Sequence, residues 1–483
     1  MRMHTFLIWA LAALAACQGV EPAQPEEVAT ATAYTTSVAG QRLEQSSIRL
    51  MRPGDAAAFR VTLTGETFQA VDGFGFAITQ ASCYNLLKMS DADRAAFLRE
   101  VFDRETGMGS SLVRVCIGGS DFSMDEFTWC DEPGLEHFAV HPLDEQYLFP
   151  ILDEIFAINP DVRIIASPWS APLWMKVGED GRTPHNQWYA GHLGEAYYSA
   201  YAEYFVRWIR EMERRGYPIM AVTLQNEPLN RGNSMSTYMS WQEQSNFIKR
   251  AVGPAFAAAG LKTKVLVFDH NYSYDGQSGQ QDYPLHIFED PEANRYVAGS
   301  AWHNYGGNVS VLDGVHARFP DKDIYFTEAS IGSWNYSFED CLINDFRDFF
   351  LGTLGRYGKG VTLWNLMLDY QGKPFRPRGC STCYGAVSIA ADDYSLASVV
   401  RNSHFYDVAH CSRGLLPGAV RLGTSGYKAA GLSYQVYRNP DGSYAALILN
   451  EGGSEAQVCF VTDRHSVACR IPARAVQSVL WNE

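Results

Sequence analysis

The chain is short of positive charge. Its 483 residues carry 39 Lys and Arg against 54 Asp and Glu, a formal charge of −15. A protein that displaces counterions from a phosphate backbone needs basic surface, so this balance argues against nucleic-acid binding. Long apolar runs are lacking too. A bilayer span takes about 20 apolar residues, and the N-terminal run Phe6–Ala16 has 11. There is no phosphate-cradling loop and no nucleotide fingerprint; Gly118-Gly119 alone is too short a signal. Internal repeats are absent, and the one CxxC, Cys380–Cys383, has no second CxxC or HxxxH to complete a zinc set. Neither metal nor cofactor is expected. Charged residues are 19%, apolar residues 46% and aromatics 13%. That composition excludes a mostly disordered chain, a collagen-like repeat and a coiled coil, and leaves a soluble globular enzyme.

What is present begins with an export signal. Arg2, a short apolar stretch and small residues before a cleavage point make a secretory signal over 1–16. Leu14-Ala15-Ala16-Cys17 resembles the lipobox of bacterial lipoproteins, which implies lipidation of Cys17 and, with Gln18 following, sorting to the outer membrane. Residues 17–45, rich in Ala, Thr, Glu, Gln and Pro, read as a tether. Setting Cys17 aside leaves nine cysteines, an odd number in an oxidising compartment. Cys380 and Cys383 are expected as a local disulfide or two buried thiols. Cys459 and Cys469 flank Asp463-Arg464 and could staple a hairpin.

From about residue 66, short apolar runs alternate with amphipathic stretches. Eight candidate strands are Ala70–Phe76, Leu112–Ile117, Arg163–Ser167, Met220–Leu224, Lys264–Asp269, Val297–Trp302, Ile324–Thr327 and Val361–Trp364. Between them lie helices. Ser90 caps one; Tyr197, Tyr201, Phe205, Trp208 and Met212 stripe another; Phe247, Ile248 and Val252 begin a third, ended by Gly260; Phe338–Leu354 is a fourth. Strand then helix, eight times, predicts a (β/α)8 TIM barrel over 66–405. After that the texture changes to short alternating segments parted by Asn439-Pro440-Asp441-Gly442 and Glu451-Gly452-Gly453. A small antiparallel β side domain is expected over 406–483, joined by strands from 46–65.

A barrel places its chemistry at the C-terminal ends of its strands. The fourth candidate strand ends Gln225-Asn226-Glu227-Pro228 and the seventh ends Thr327-Glu328-Ala329. Two carboxylates facing each other across a barrel mouth are what glycoside hydrolysis needs: an acid for the leaving oxygen and a nucleophile or base for the anomeric carbon. Either Glu alone would read as a rim ion pair; the pair in these contexts does not.

These residues, with Asp72-Gly73-Phe74-Gly75, Arg114–Ser123, Ala166–Pro172, His303-Asn304-Tyr305 and Leu363–Leu366, resemble glycoside hydrolase family 30 of clan A, which includes glucosylceramidases and β-1,6-glucanases. The resemblance runs from about 66 to 483 and implies a barrel with a β-sandwich built from both chain ends. It implies Glu227 as general acid/base and Glu328 as nucleophile, about 5–5.5 Å apart as retention requires. Neighbours should raise the Glu227 pKa, while Glu328 stays ionised. It implies that Asn226 holds the sugar 2-hydroxyl, that Asp121 accepts from hydroxyls far from the anomeric carbon, and that Trp169 and Trp364 contact the sugar. Tyr305 and Arg114 would hold the nucleophile, with His303 supporting. Asp125, Glu126, Asp369 and Lys373 are expected to line loops and are not assigned. The loops Asn230–Tyr238 and Gly372–Tyr384 depart from the glucosylceramidase pattern, and Gly372–Tyr384 is more similar to the β-1,6-glucanase branch. The expected activity is β-1,6-glucan hydrolysis, with glucosylceramide as the alternative substrate. A glycan-binding lipoprotein without catalysis would need the aromatics but not both carboxylates.

Overall fold

The computed structural model describes residues 29–55 and 58–483. Cys17, the signal segment and the first part of the tether lie outside the described residues. Eight parallel strands form one sheet in the order 73–76, 358–363, 323–328, 299–303, 264–271, 219–223, 163–167, 112–116. The two ends meet: Ala77 bridges Arg114 in parallel, and the Ile78 N–H donates to the Arg114 carbonyl at 2.8 Å. The sheet is therefore a closed barrel, and each expected strand has its counterpart within a few residues.

The barrel interior is layered by the two-residue period of a strand. Leu112, Ile165, Ala221, Leu266, Ala301 and Tyr325 make one buried apolar layer. Two residues further along the same strands stand Arg114, Ser167, Thr223, His303 and Thr327, all buried and polar. The fifth strand breaks the period. Leu266 points inward, so Phe268 should too. Instead Phe268 and Asp269 adopt φ of 75° and 71°, and the register against the sixth strand shifts there. The bulge turns Phe268 outward among Tyr283 and Trp302 and puts Asp269 inside.

The helices follow their sequence signals. Ser90 caps helix Asp91–Phe102 by accepting from the Asp93 N–H. Tyr201, Phe205, Trp208 and Met212 bury one face of helix Tyr198–Arg214. Gly260, with φ of 66°, ends helix Gly253–Ala259. The expected Phe338–Leu354 helix runs regularly only to Asp345, widens to a π turn over Phe346–Leu351, and finishes as Gly352–Gly355.

The side domain is a nine-stranded assembly in the order 44–49, 30–37, 475–481, 444–450, 432–438, 420–426, 60–70, 456–461, 466–471. It closes on itself where Met51 bridges Ser466. The tether expectation needs correction here: from Thr30 the chain is a strand hydrogen-bonded on both sides, with Ala31, Ala33 and Thr36 buried. Ala31 and Ala33, small residues that suggested a tether, pack instead in the side domain's own core with Val436, Ala446 and Val479, while Thr36 reaches the barrel's last helix. That helix, Ser403–Gly414, straddles the expected boundary at 405. Its His410 reaches Thr36 Oγ1 at 2.9 Å and Ser478 Oγ at 3.1 Å. Cys459 and Cys469 do sit on one hairpin, but as free thiols. Cys469 faces Val458 and Cys459 faces Ala468, so a one-residue offset sends the two sulfurs to opposite faces.

Candidate active site

The mouth of the barrel is a cavity of about 740 Å³. Glu227 and Glu328 both line it, as do Asp121, Tyr305 and Trp364. One oxygen of each glutamate and one ring nitrogen of His303 lie within 4.8 Å of one another. That spacing is close to the about 5–5.5 Å of glycosidases that retain configuration and too tight for the gap inverting enzymes leave for water.

Each carboxylate is held from several sides. Arg114 Nη1 donates to Glu328 Oε2 at 2.5 Å, and the Tyr305 hydroxyl donates to Oε1 at 3.0 Å. Arg114 is itself fixed: Nη2 donates to Asn226 Oδ1 and Asp269 Oδ2, both at 2.8 Å. Glu227 accepts from Asn230 Nδ2 at 2.8 Å and faces His303 Nδ1 at 3.4 Å and His270 Nε2 at 3.8 Å. Its backbone has φ of 44°, a left-handed turn that lifts the carboxyl off the strand end, and its N–H donates to the Asp269 carbonyl at 3.0 Å.

Asp269 is the hub beneath the pair, and sequence reading missed it. Its carboxylate accepts from Arg114, Ser167 Oγ (2.9 Å), Thr223 Oγ1 (2.7 Å) and Thr327 Oγ1 (2.6 Å), and it meets His303 Nε2 at 3.0 Å. Burial would raise its pKa, but Arg114, His303 and the hydroxyls hold it far below the carboxylate range. Asn230 and His270 were missed as well. The run Asp269-His270-Asn271 at a strand end was the available signal.

The charge pattern corrects one expectation. Burial pushes Glu227 up, yet His270, His303 and Asn230 outweigh it and leave the group below its usual pKa. Glu328 lies above its usual value: burial raises it, His303 and Arg114 pull it back, and Glu227 and Asp269 push it up again. His303 is raised to about 9 against the effect of burial, by Glu328, Asp269 and Glu227. The free site thus keeps a proton on His303, between the two glutamates, rather than on Glu227. The three groups titrate as a set.

The remaining residues divide. Asn226 commits Oδ1 to Arg114, which leaves its Nδ2 for a sugar hydroxyl. Trp364 lines the cavity, whereas Trp169 is buried beneath it, stacked at 5.1 Å with the Arg114 guanidinium 4.9 Å from its ring centre. Trp169 therefore packs against both Trp364 and Arg114. Asp121 is almost wholly buried at one end of the cavity. Its Oδ2 accepts the Cys380 N–H at 3.3 Å, its Oδ1 has no partner, and burial lifts its pKa to about 8, with Glu328 adding to the rise. Cys380 and Cys383 are joined as a disulfide. Trp334, 49% exposed, also lines the cavity.

Residues 71–415 match the glycosyl hydrolase family 30 TIM-barrel domain and residues 418–479 the glycosyl hydrolase family 30 beta sandwich domain. The chain belongs to glycoside hydrolase family 30. It is 32% identical over 482 residues to an endo-1,6-beta-D-glucanase of Trichoderma harzianum, covering 93% of each chain. It is 26% identical over 484 residues to the lysosomal acid glucosylceramidase of Mus musculus, covering 96% of this chain and 92% of that one. Among solved structures, an endo-beta1,6-glucanase superposes with a TM-score of 0.90 at 44% identity, covering 94% of this chain and 100% of the other. The protein is a glycoside hydrolase, and its barrel-plus-sandwich architecture is that of the family.

Proposed function

We propose that this glycoside hydrolase cleaves β-1,6-glucan or its oligosaccharides with retention of configuration. The observation that carries the chemistry is the spacing of Glu227 and Glu328, within 4.8 Å through their nearest oxygens. In the first step a Glu328 oxygen attacks the anomeric carbon while Glu227 gives its proton to the departing glycosidic oxygen. In the second, Glu227 takes a proton from water, which displaces Glu328 from the sugar. His303 Nδ1 faces Glu227 Oε1, so it can return the proton that Glu227 needs before the first step. Arg114 and Tyr305 hold the two Glu328 oxygens and fix the line of attack.

The substrate is argued from the cavity wall beyond the catalytic pair. Asn230, Asn233, Asn335, Asp340, Asn344 and Asp348 line it, with Trp334 as an exposed ring. Hydroxyls of a further glucosyl unit find donors and acceptors there, and a ring face can rest on Trp334. A ceramide would leave those polar groups desolvated and unpaired, at a cost for each. Glucosylceramide remains the second reading, favoured by the likeness to the mouse enzyme. The export signal and Leu14-Ala15-Ala16-Cys17 support an outer-membrane lipoprotein anchored through Cys17; partition of the Cys17→Ala protein out of a detergent phase would test that.

The deciding experiment is product analysis on β-1,6-glucan, an aryl β-glucoside and glucosylceramide, with Glu328→Gln alongside. Gluco-oligosaccharides from the glucan are expected, and none from the variant. Turnover of glucosylceramide without the glucan would overturn the substrate.

A further inference from the structure

A second cavity, of about 430 Å³, lies on the far side of the wall that closes the Asp121 end of the active site. It is lined by Tyr84, Met124, Asp369, Lys373, Phe375 and Tyr394, together with Pro374. The wall consists of two segments that each face both cavities. One carries Asp121 on the catalytic side and Met124 on the other; its neighbour carries Gly379 and Cys380 on the catalytic side and Lys373 to Phe375 on the other. They are tied together, since the Arg376 N–H donates to the Asp121 carbonyl at 2.7 Å and Arg376 Nη1 to the Met124 carbonyl at 3.0 Å. Phe375 also packs against the cluster that holds Trp169 and Trp364.

The cavity is preformed. Asp369 Oδ1 accepts the N–H groups of Gln371 and Lys373, both at 2.8 Å, and the Asp369 N–H donates to the Lys373 carbonyl at 3.1 Å. That carbonyl also accepts from Asn85 Nδ2 at 3.0 Å. These bonds fix the backbone and leave two polar groups unspent. Asp369 Oδ2 and the Lys373 ammonium have no hydrogen-bond or ion-pair partner among the described residues. Three rings, Tyr84, Phe375 and Tyr394, complete the lining. Neither Asp369 nor Lys373 has any part in the catalytic network.

We propose that this cavity is a binding site for a glucosyl residue of the glucan, separate from the cleavage site. The chemistry selects a neutral sugar. One carboxylate and one ammonium cancel in charge, which favours neither an anion nor a cation. Each can bond to pyranose hydroxyls, and the rings offer faces for the C–H side of the sugar. A polymer whose units are joined through a flexible 1,6 link can hold one unit here while another lies against Glu227 and Glu328. The proposal rests on the glucan reading above.

The test is calorimetric titration of the Glu328→Gln protein with a β-1,6-linked glucotetraose, repeated in Glu328→Gln carrying Lys373→Ala or Tyr84→Ala. Lys373→Ala removes only a side chain without a partner, so folding is preserved; thermal melting checks this. Two sites are expected in the parent protein, with the weaker one lost, or weakened about tenfold (about 1.4 kcal/mol), in the double variants. Crystals soaked in the same sugar should show density between Tyr394 and Lys373. A single site that neither change affects would overturn the proposal and leave the catalytic reading intact. No binding at either site would overturn the glucan reading, and this proposal with it.

Discussion

His303 stands between two acids of opposite function: its Nε2 meets Asp269 Oδ1 at 3.0 Å below, and its Nδ1 faces Glu227 Oε1 at 3.4 Å above. Glu328, Asp269 and Glu227 together keep the imidazole charged, and the charged imidazole lowers the pKa of both glutamates. Replacing Asp269 with Asn keeps the shape and removes the charge. The His303 pKa should then fall from about 9 towards its ordinary value, as seen by NMR titration of the ring. Arg114 loses one of its two buried counter-ions in the same variant and keeps Glu328; breaking a buried pair costs about 3–5 kcal/mol. Thermal melting should drop accordingly.

The charge on His303 has a readable effect on the pH profile. It lowers the Glu328 pKa, so its removal must raise it. In His303→Asn the acidic limb of kcat/KM, which follows protonation of the nucleophile, is expected to move to higher pH. An unmoved acidic limb would show that His303 does not act on Glu328. The same shift contributes to stability. A histidine raised from 6.5 to about 9 adds stability that is full below pH 6.5 and is lost as pH rises through 9. The wild-type melting temperature should decline over that window more than that of the variant.

Glu227 separates the two chemical steps. A leaving group that departs without a proton does not need the acid. In Glu227→Ala, an aryl β-glucoside with a strongly acidic phenol should still form the glycosyl-enzyme, giving a burst followed by slow turnover. The glucan, whose leaving group is an alcohol, should lose about 10²–10⁴-fold in kcat. Equal losses on both substrates would show that Glu227 is not the acid.

The meeting of Glu227 and Glu328 was legible because strand-end position is written in the sequence: an apolar run that stops at Asn226-Glu227 or Thr327-Glu328 must present the glutamate at the barrel mouth, where both line the cavity. Asp269 was not, since the two-residue period points Phe268 inward and only the bulge reverses it. The stacking of Trp169 on Trp364 was not legible either, because no spacing rule links two strand ends so far apart in the chain. The Cys459–Cys469 staple failed on a register of one residue, which spacing cannot resolve. Small residues from Thr30 read as tether, yet Ala31 and Ala33 are also what a strand packed into a tight sandwich core can carry.

The disulfide at the cavity rim offers a prediction about glycone binding. Cys380 donates its N–H to Asp121 Oδ2, and Cys383 pairs with Gly332, four residues beyond Glu328. Thr382 between them accepts the Ser333 N–H at 2.8 Å. The closed loop therefore ties Asp121 to the segment that follows the nucleophile. Reduction, or Cys380→Ser with Cys383→Ser, should raise KM about tenfold with kcat largely kept, the signature of lost positioning of bound sugar. Reductant should have no further effect on the double variant.

The first described strand makes the last prediction. Thr30–Ser37 lies between Glu44–Arg49 and Ala475–Trp481 and pairs with both. Thr36 Oγ1 partners His410 Nε2 inside the helix that joins the side domain to the barrel. A protein truncated to begin at residue 38 loses both ladders and exposes the edge of Ala475–Trp481. It also leaves His410 with one buried nitrogen unpaired, at about 1–3 kcal/mol. Insoluble expression or a much lowered melting temperature is expected. Truncation to begin at residue 29 keeps every bond described for that strand and serves as the folded reference. If the shorter protein melted like the longer one, the strand would be an appendage, and the coupling of side domain to barrel through Thr36 and His410 would be wrong.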